Sequence, residues 1–218
     1  MTRRLRIEWD GDRKVDALLE VGSGPGILLA HGAGAPQRHP FMVGMRRRLA
    51  SAGLTVMTFD YPYTAEGRKA PDRMPRLLQC HRAALARLRE YSPEVVLTGK
   101  SMGGRMASHL AAERPEGAAG LIVYGYPLVS PSSGEDRDTA HFADIAVPVL
   151  LLSGDRDRLG PVAALRRLAA GPRVTLEIVE GADHSFRHER FLDVLAGATV
   201  DWLGRQGLRA PGAGRSGR

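Results

Sequence analysis

Val95-Val96-Leu97-Thr98-Gly99-Lys100-Ser101-Met102-Gly103-Gly104 runs from an apolar strand pattern, through a serine bracketed by glycines, into the start of a helical pattern. Val95–Gly99 is a short apolar, β-branched run, as a strand buried on both faces requires. From Met102 to Glu113 the apolar residues recur three and four apart, the period of an amphipathic helix. A Gly-x-Ser-x-Gly placed between a strand and a helix predicts a sharp turn that holds the Ser101 hydroxyl above the sheet. Side chains two residues either side of the serine would collide with such a turn, so positions 99 and 103 call for glycine. The helix N-terminus that follows favours negative charge developing beside the hydroxyl. Gly99-Lys100-Ser101 also matches the end of a phosphate-binding Gly-x-x-x-x-Gly-Lys-Ser loop. Its first glycine would fall at Glu94 and its loop would be the strand Val95–Thr98, so that reading fails.

Outward from this turn, short runs rich in Val, Ile, Leu and Thr alternate with longer segments of helical period. The strand candidates are Val15–Val21, Gly26–Ala30, Thr55–Asp60, Val95–Gly99, Leu121–Gly125, Val149–Ser153 and Val174–Val179. The helix candidates are Phe41–Ser51, Pro75–Tyr91, Met102–Glu113, Pro161–Ala170 and Arg187–Leu203. Alternation of this kind predicts an α/β fold: a mostly parallel central sheet of about seven strands with helices on both faces. Gly22-Ser-Gly-Pro-Gly26 reads as a hairpin turn between the first two strands. Tyr61–Asp72 and Pro127–Asp144 are the long irregular stretches, and long loops in compact domains usually carry function.

At 218 residues, 43% hydrophobic and 25% charged, the chain has the length and composition of one globular domain, placed at residues 1–205. The glycine- and arginine-rich stretch 206–218 is expected to be a disordered basic tail. The formal charge of +7 raises nucleic-acid binding. Part of that charge sits in the tail and the rest is scattered over helix surfaces, so no nucleic-acid partner is expected. No apolar run approaches the ~18–20 residues that span a bilayer. The N-terminus is basic without the apolar stretch of a signal peptide, so a cytoplasmic protein with no membrane partner is expected. Cys80, the single cysteine, falls among apolar residues of a helix and reads as packing.

Acyl-transfer chemistry at Ser101 needs a base, an acid that orients the base, and donors for an oxyanion. In this architecture the order along the chain is Ser, Asp, His, each on a loop at the C-terminal end of a strand. Gly154-Asp155-Arg156-Asp157 follows the strand Val149–Ser153 and offers two carboxylates. Gly181-Ala182-Asp183-His184 follows Val174–Val179 and offers the base, His184, with Asp183 read as a cap for the last helix. The donors are placed at the amides of Ala33, in the small-residue loop His31-Gly32-Ala33-Gly34, and of Met102. His31 is read as fixing that loop, and His39, His81, His109, His141 and His188 as structural. No set of His, Cys and carboxylates has metal-ligand spacing, so neither metal nor cofactor is expected.

Gly99-Lys-Ser-Met-Gly103, His31-Gly-Ala-Gly34, Gly154-Asp-Arg-Asp157 and Gly181-Ala-Asp-His184 resemble the matching motifs of the α/β-hydrolase superfamily over about residues 15–205. With Gly125-Tyr-Pro-Leu128 and Gly154–Gly160, the chain is similar to small, capless, dienelactone-hydrolase-like proteins. That group includes a eukaryotic branch with a testis-expressed hydrolase-like protein and a chromatin-complex subunit. The resemblance implies an α/β-hydrolase fold without a cap domain. It also implies a triad of Ser101, Asp157 and His184, with Asp157 chosen over Asp155 because the group's acid stands three residues after the glycine. Dienelactone hydrolase itself uses a cysteine where this chain has Ser101, so that substrate does not carry over. The activity implied is hydrolysis of a carboxylic ester, thioester or lactone, with a small ester-like molecule as partner. The alternative is a catalytically silent member of the fold that binds a partner, as some eukaryotic relatives do. Arg38, Lys69, Lys100, Arg105 and Arg158 are expected around the mouth of the site, which would suit anionic substrates.

Overall fold

Alternate residues of the central strands belong to two separate cores. In β3 (Gly26–Ala30) Leu28 and Ala30 pack on one face of the sheet and Ile27 and Leu29 on the other; in β5 (Val95–Lys100) Val95 and Leu97 oppose Val96. This is the period of two with both faces covered, which turns such strands into continuous apolar runs. The computed structural model describes residues 1–130 and 133–208.

The remaining strands are β1 (Thr2–Asp10), β2 (Arg13–Glu20), β4 (Thr55–Phe59), β6 (Ala118–Tyr124), β7 (Val149–Gly154) and β8 (Val174–Val179). They form one sheet in the order β1-β2-β4-β3-β5-β6-β7-β8. From β4 to β8 every neighbouring pair is parallel, while β1 with β2 and β2 with β4 are antiparallel. Helices α1 (Pro40–Ser51) and α6 (Glu189–Arg205) cover one face through Phe41, Met42, Met45, Leu49, Leu195 and Trp202. Helices α3 (Met74–Arg89), α4 (Met102–Ala112) and α5 (Val162–Leu168) cover the other, with the short α2 (Pro62–Ala65) beside them. Between β6 and β7 there is a short 3-10 turn, Ala140–Asp144, and no inserted cap domain.

Two expectations change. The sheet gains β1, whose sequence TRRLRIEWD carries Leu5, Ile7 and Trp9 at a spacing of two; Arg6 and Glu8 between them face outward and mask the pattern. Gly22–Gly26 is not a hairpin turn, because β2 pairs with β4 and β3 lies beyond β4. That segment instead crosses the start of β4, where the amides of Ser23 and Gly24 donate to the Gly53 carbonyl at 3.1 and 3.0 Å. The hairpin is β1–β2, closed through Asp10–Arg13. Of the expected tail, residues 206–208 are described and Leu208 packs against the Trp202 side of the core; residues 209–218 lie outside the described residues. Among the described residues no helix is long and apolar enough to cross a membrane.

Chain order and strand order diverge at β3. The chain leaves β3 through α1 to reach β4 on one side, while β5 lies on the other side. The loops after β3 and β5 therefore open a crevice at the carboxyl ends of the strands, the switch point where α/β sheets bind ligands.

Candidate active site

Ser101 stands between β5 and α4 with φ 51° and ψ −116°, a positive φ that non-glycine residues rarely hold. The turn is possible because its neighbours have no side chains. A Cβ on Gly99 would lie 2.3 Å from backbone atoms of Gly103 and Gly104, and one on Gly103 would lie 2.4 Å from the Ala30 carbonyl oxygen. Close backbone approach, rather than flexibility, fixes both positions as glycine.

His184 reaches this turn from the loop after β8. Its Nε2 lies 2.8 Å from Ser101 Oγ and its Nδ1 lies 2.8 Å from Asp157 Oδ2. An imidazole nitrogen facing a carboxylate carries the proton, so in the neutral ring Nδ1–H donates to Asp157 and Nε2 accepts the Ser101 hydroxyl. Asp157, fully buried at its side chain, is held by the amides of Leu159 (2.8 Å) and Gly160 (3.2 Å), which both donate to Oδ1. Burial alone would raise the Asp157 carboxyl. The hydrogen bond and charge of His184, the Leu159 amide and the Lys100 ammonium outweigh it and hold the group below the usual carboxylate range. Asp155, the other carboxylate of the motif, is exposed and accepts from the Gly181 amide at 2.7 Å. Asp155 therefore ties the two loops together and does not meet the imidazole.

Ala33, Met102 and Ser101 line one cavity of about 360 Å³. Neither the Ala33 nor the Met102 amide donates to another group among the described residues. The loop that carries Ala33 is pinned by His31, whose Nδ1 donates to the Gly32 carbonyl (2.8 Å) while its Nε2 accepts from the Tyr61 amide (3.1 Å). Burial pushes the His31 imidazole down and keeps it neutral, the state those two bonds need. The Tyr63 hydroxyl accepts from the Gly34 amide at 3.3 Å, a second tie on the same loop. Asp183 caps no helix: it accepts from the amide and hydroxyl of Ser185, and α6 begins only at Glu189.

The group of five cations expected at the mouth is not assembled there. Arg105 lines the cavity; Arg38 lines a different one, beside β1 and β2. Lys100 is buried, with its Nζ donating to the His184 carbonyl at 2.5 Å and lying 5.8 and 5.4 Å from the ring centres of Phe41 and Phe186. Gly125 closes this space: a Cβ there would lie 3.1 to 3.3 Å from Lys100 Nζ, Asp157 Oδ2 and His184 Nδ1. Lys100 has the strand parity of Val96, which points it under the α1–α6 face, and that parity was the available signal.

Burial lowers the Lys100 ammonium to about 8, although Asp157 and Asp183 pull it up. Between about 8 and the ordinary lysine value the unfolded chain holds a proton that the folded chain has lost, so fold stability rises with pH across that window. Lys100→Met is expected to lack this rise. Urea midpoints of the two proteins from about pH 7 to about pH 10 check it, wild type gaining on the variant above pH ~8. Parallel curves would show that Lys100 titrates as an ordinary surface lysine.

The sequence pattern of the alpha/beta hydrolase domain family matches residues 24–200. Among curated proteins the chain is similar to a human protein named "Putative protein-lysine deacylase ABHD14B", 27% identical over 161 residues, 72% of this chain and 73% of the relative. Among solved structures it is similar to dienelactone hydrolase from Anabaena variabilis, with a TM-score of 0.78 and 22% identity over 94% of this chain and 97% of that one. It is also similar to a serine hydrolase without a lid from Xanthomonas campestris, with a TM-score of 0.76 and 20% identity over 98% and 97% of the two chains. These two likenesses concern the fold. With the family pattern running from the loop before β3 into α6, the chain belongs to the alpha/beta hydrolase domain family.

Proposed function

We propose that the chain is a serine hydrolase that cleaves a carboxylic ester, thioester or lactone through an acyl-enzyme, with Ser101 as nucleophile, His184 as base and Asp157 as the acid that orients it. The observation that carries this reading is the unbroken row from Ser101 Oγ through His184 to a buried, doubly anchored Asp157. A fold kept only as a scaffold has no need of that alignment.

In the first half-reaction the Ser101 oxygen adds to the carbonyl carbon while its proton passes to His184 Nε2. The oxyanion receives the amides of Ala33 and Met102, which border the same cavity as Ser101. Collapse expels the alcohol or thiol, which takes the proton from Nε2. Water then adds to the acyl-enzyme, gives a proton to Nε2 and releases the carboxylic acid, and Ser101 recovers its proton. Asp157 stays ionised throughout and stabilises the imidazolium. No step calls on a metal or an organic cofactor.

The test is labelling of the folded protein with a fluorophosphonate, followed by mapping of the modified peptide. Such a probe reports an activated serine without knowledge of the substrate. The label is expected on Ser101. Well-folded protein that takes no label would replace this reading with that of a silent, partner-binding member of the family.

A further inference from the structure

Two arginines line the cavity in front of Ser101, and among the described residues neither has an acidic partner. Arg105 stands one turn into α4 from Ser101, its amide donating to the Ser101 carbonyl at 2.9 Å. Arg137 comes from the segment between β6 and β7. It is held in place by its amide, which donates to the Leu128 carbonyl at 2.7 Å, and by the bridge of Val129 to Asp136.

Among the described residues, Arg48, Arg68, Arg76, Arg82, Arg89 and Arg205 each meet a carboxylate within 3 Å. Arg105 and Arg137 form no ion pair among the described residues, and the Nε of each, like those of Arg76 and Arg89, is buried without a hydrogen-bond partner. Burial, and then the charge of Arg105, push the Arg137 guanidinium down. Two half-buried like charges held near each other disfavour one another until an anion lies between them.

The rest of the lining includes Met74, Leu77, Met106, Pro127 and Leu159, which give the cavity apolar walls. Asp72, the one carboxylate in this lining among the described residues, has its Oδ1 bound by both Arg68 and Arg76, so two cations match its charge, while its Oδ2 is buried without a hydrogen-bond partner. The nearby Asp138 caps the Ala140 amide at 2.8 Å and acts on the His109–His141 pair.

We propose that this cavity selects substrates whose apolar body ends in a carboxylate, bound by Arg105 and Arg137. The inference rests on Ser101 being the nucleophile only in so far as the bound ester would be cleaved; anion binding itself does not depend on turnover. A planar carboxylate suits two guanidinium forks, and the apolar walls suit the short chain between it and the carbonyl.

The experiment uses the Ser101→Ala protein, which cannot cleave the probe, titrated calorimetrically with monomethyl adipate and with neutral dimethyl adipate. The monoester is expected to bind roughly ten- to a hundredfold more tightly, and Arg105→Gln or Arg137→Gln in the same background to remove most of that advantage. Arg137→Lys keeps the charge without the fork and is expected to fall between. Equal affinity for the two esters, no binding of either, or an advantage unaffected by both glutamine variants overturns the proposal. Because these titrations need no chemistry, they stand apart from the labelling of Ser101: a labelled serine with no anion preference leaves the hydrolase reading and removes this one.

Discussion

Ser101→Ala is expected to lower kcat for a small neutral ester by roughly 10⁶, His184→Ala by a similar factor, and the double variant by no more than either. The reason lies in the proton path. In the proposed mechanism Ser101 Oγ is a weak nucleophile until Nε2, at 2.8 Å, takes its proton, and Nε2 has no proton to take once the hydroxyl is gone. On that mechanism, what would survive is the contribution of binding and of the Ala33 and Met102 amides.

The molecule contains a second serine–histidine contact that serves as a control. Ser108 Oγ lies 2.9 Å from His141 Nε2, but Ser108 is fully buried and its hydroxyl also donates to the Arg105 carbonyl at 2.8 Å. His141 stacks on His109 at 3.7 Å and among the described residues has no carboxylate on its other nitrogen; burial and His109 lower it to about 4. Ser108→Ala should leave the rate nearly unchanged. Steady-state kinetics on the four variants decides the matter, and a Ser101→Ala protein within tenfold of wild type would remove Ser101 as the nucleophile.

Asp157→Asn is expected to cost about 10⁴ in kcat/KM with the fold intact. Oδ1 receives two backbone amides, so in the variant the asparagine oxygen must take that place and its NH₂ must face His184. A donor opposite Nδ1 makes that nitrogen an acceptor and moves the ring proton to Nε2. His184 would then present a proton to Ser101 where it must accept one. Asp155→Asn, on an exposed carboxylate whose bond is to the Gly181 amide, should change kcat/KM only slightly. Kinetics and thermal midpoints of both variants test the assignment; a larger loss at 155 than at 157 would reverse it.

Much of this site is legible in the sequence because its parts are local. The glycines at 99 and 103 announce a turn that only close backbone approach demands, and each remaining motif follows an apolar run directly. The choice of Asp157 over Asp155 came from resemblance; in the structure two residues of separation leave one carboxylate in solvent and bury the other beside His184. His31 shows the limit of residue type as a guide: it stands at the edge of the crevice, yet both ring nitrogens are taken by the backbone.

The alternation of strands and helices and the sharp turn around Ser101 can be read from the chain alone, since hydrophobic period and glycine sterics act within a few residues. Only the folded chain shows that β2 joins β4, that Lys100 lies buried behind His184, and that Arg105 and Arg137 line one cavity. Strand partnership, burial of a charge and the sharing of a cavity by residues 32 positions apart depend on which surfaces cover one another. That is a property of the packed sheet and its helices, on which no local pattern in the chain reports.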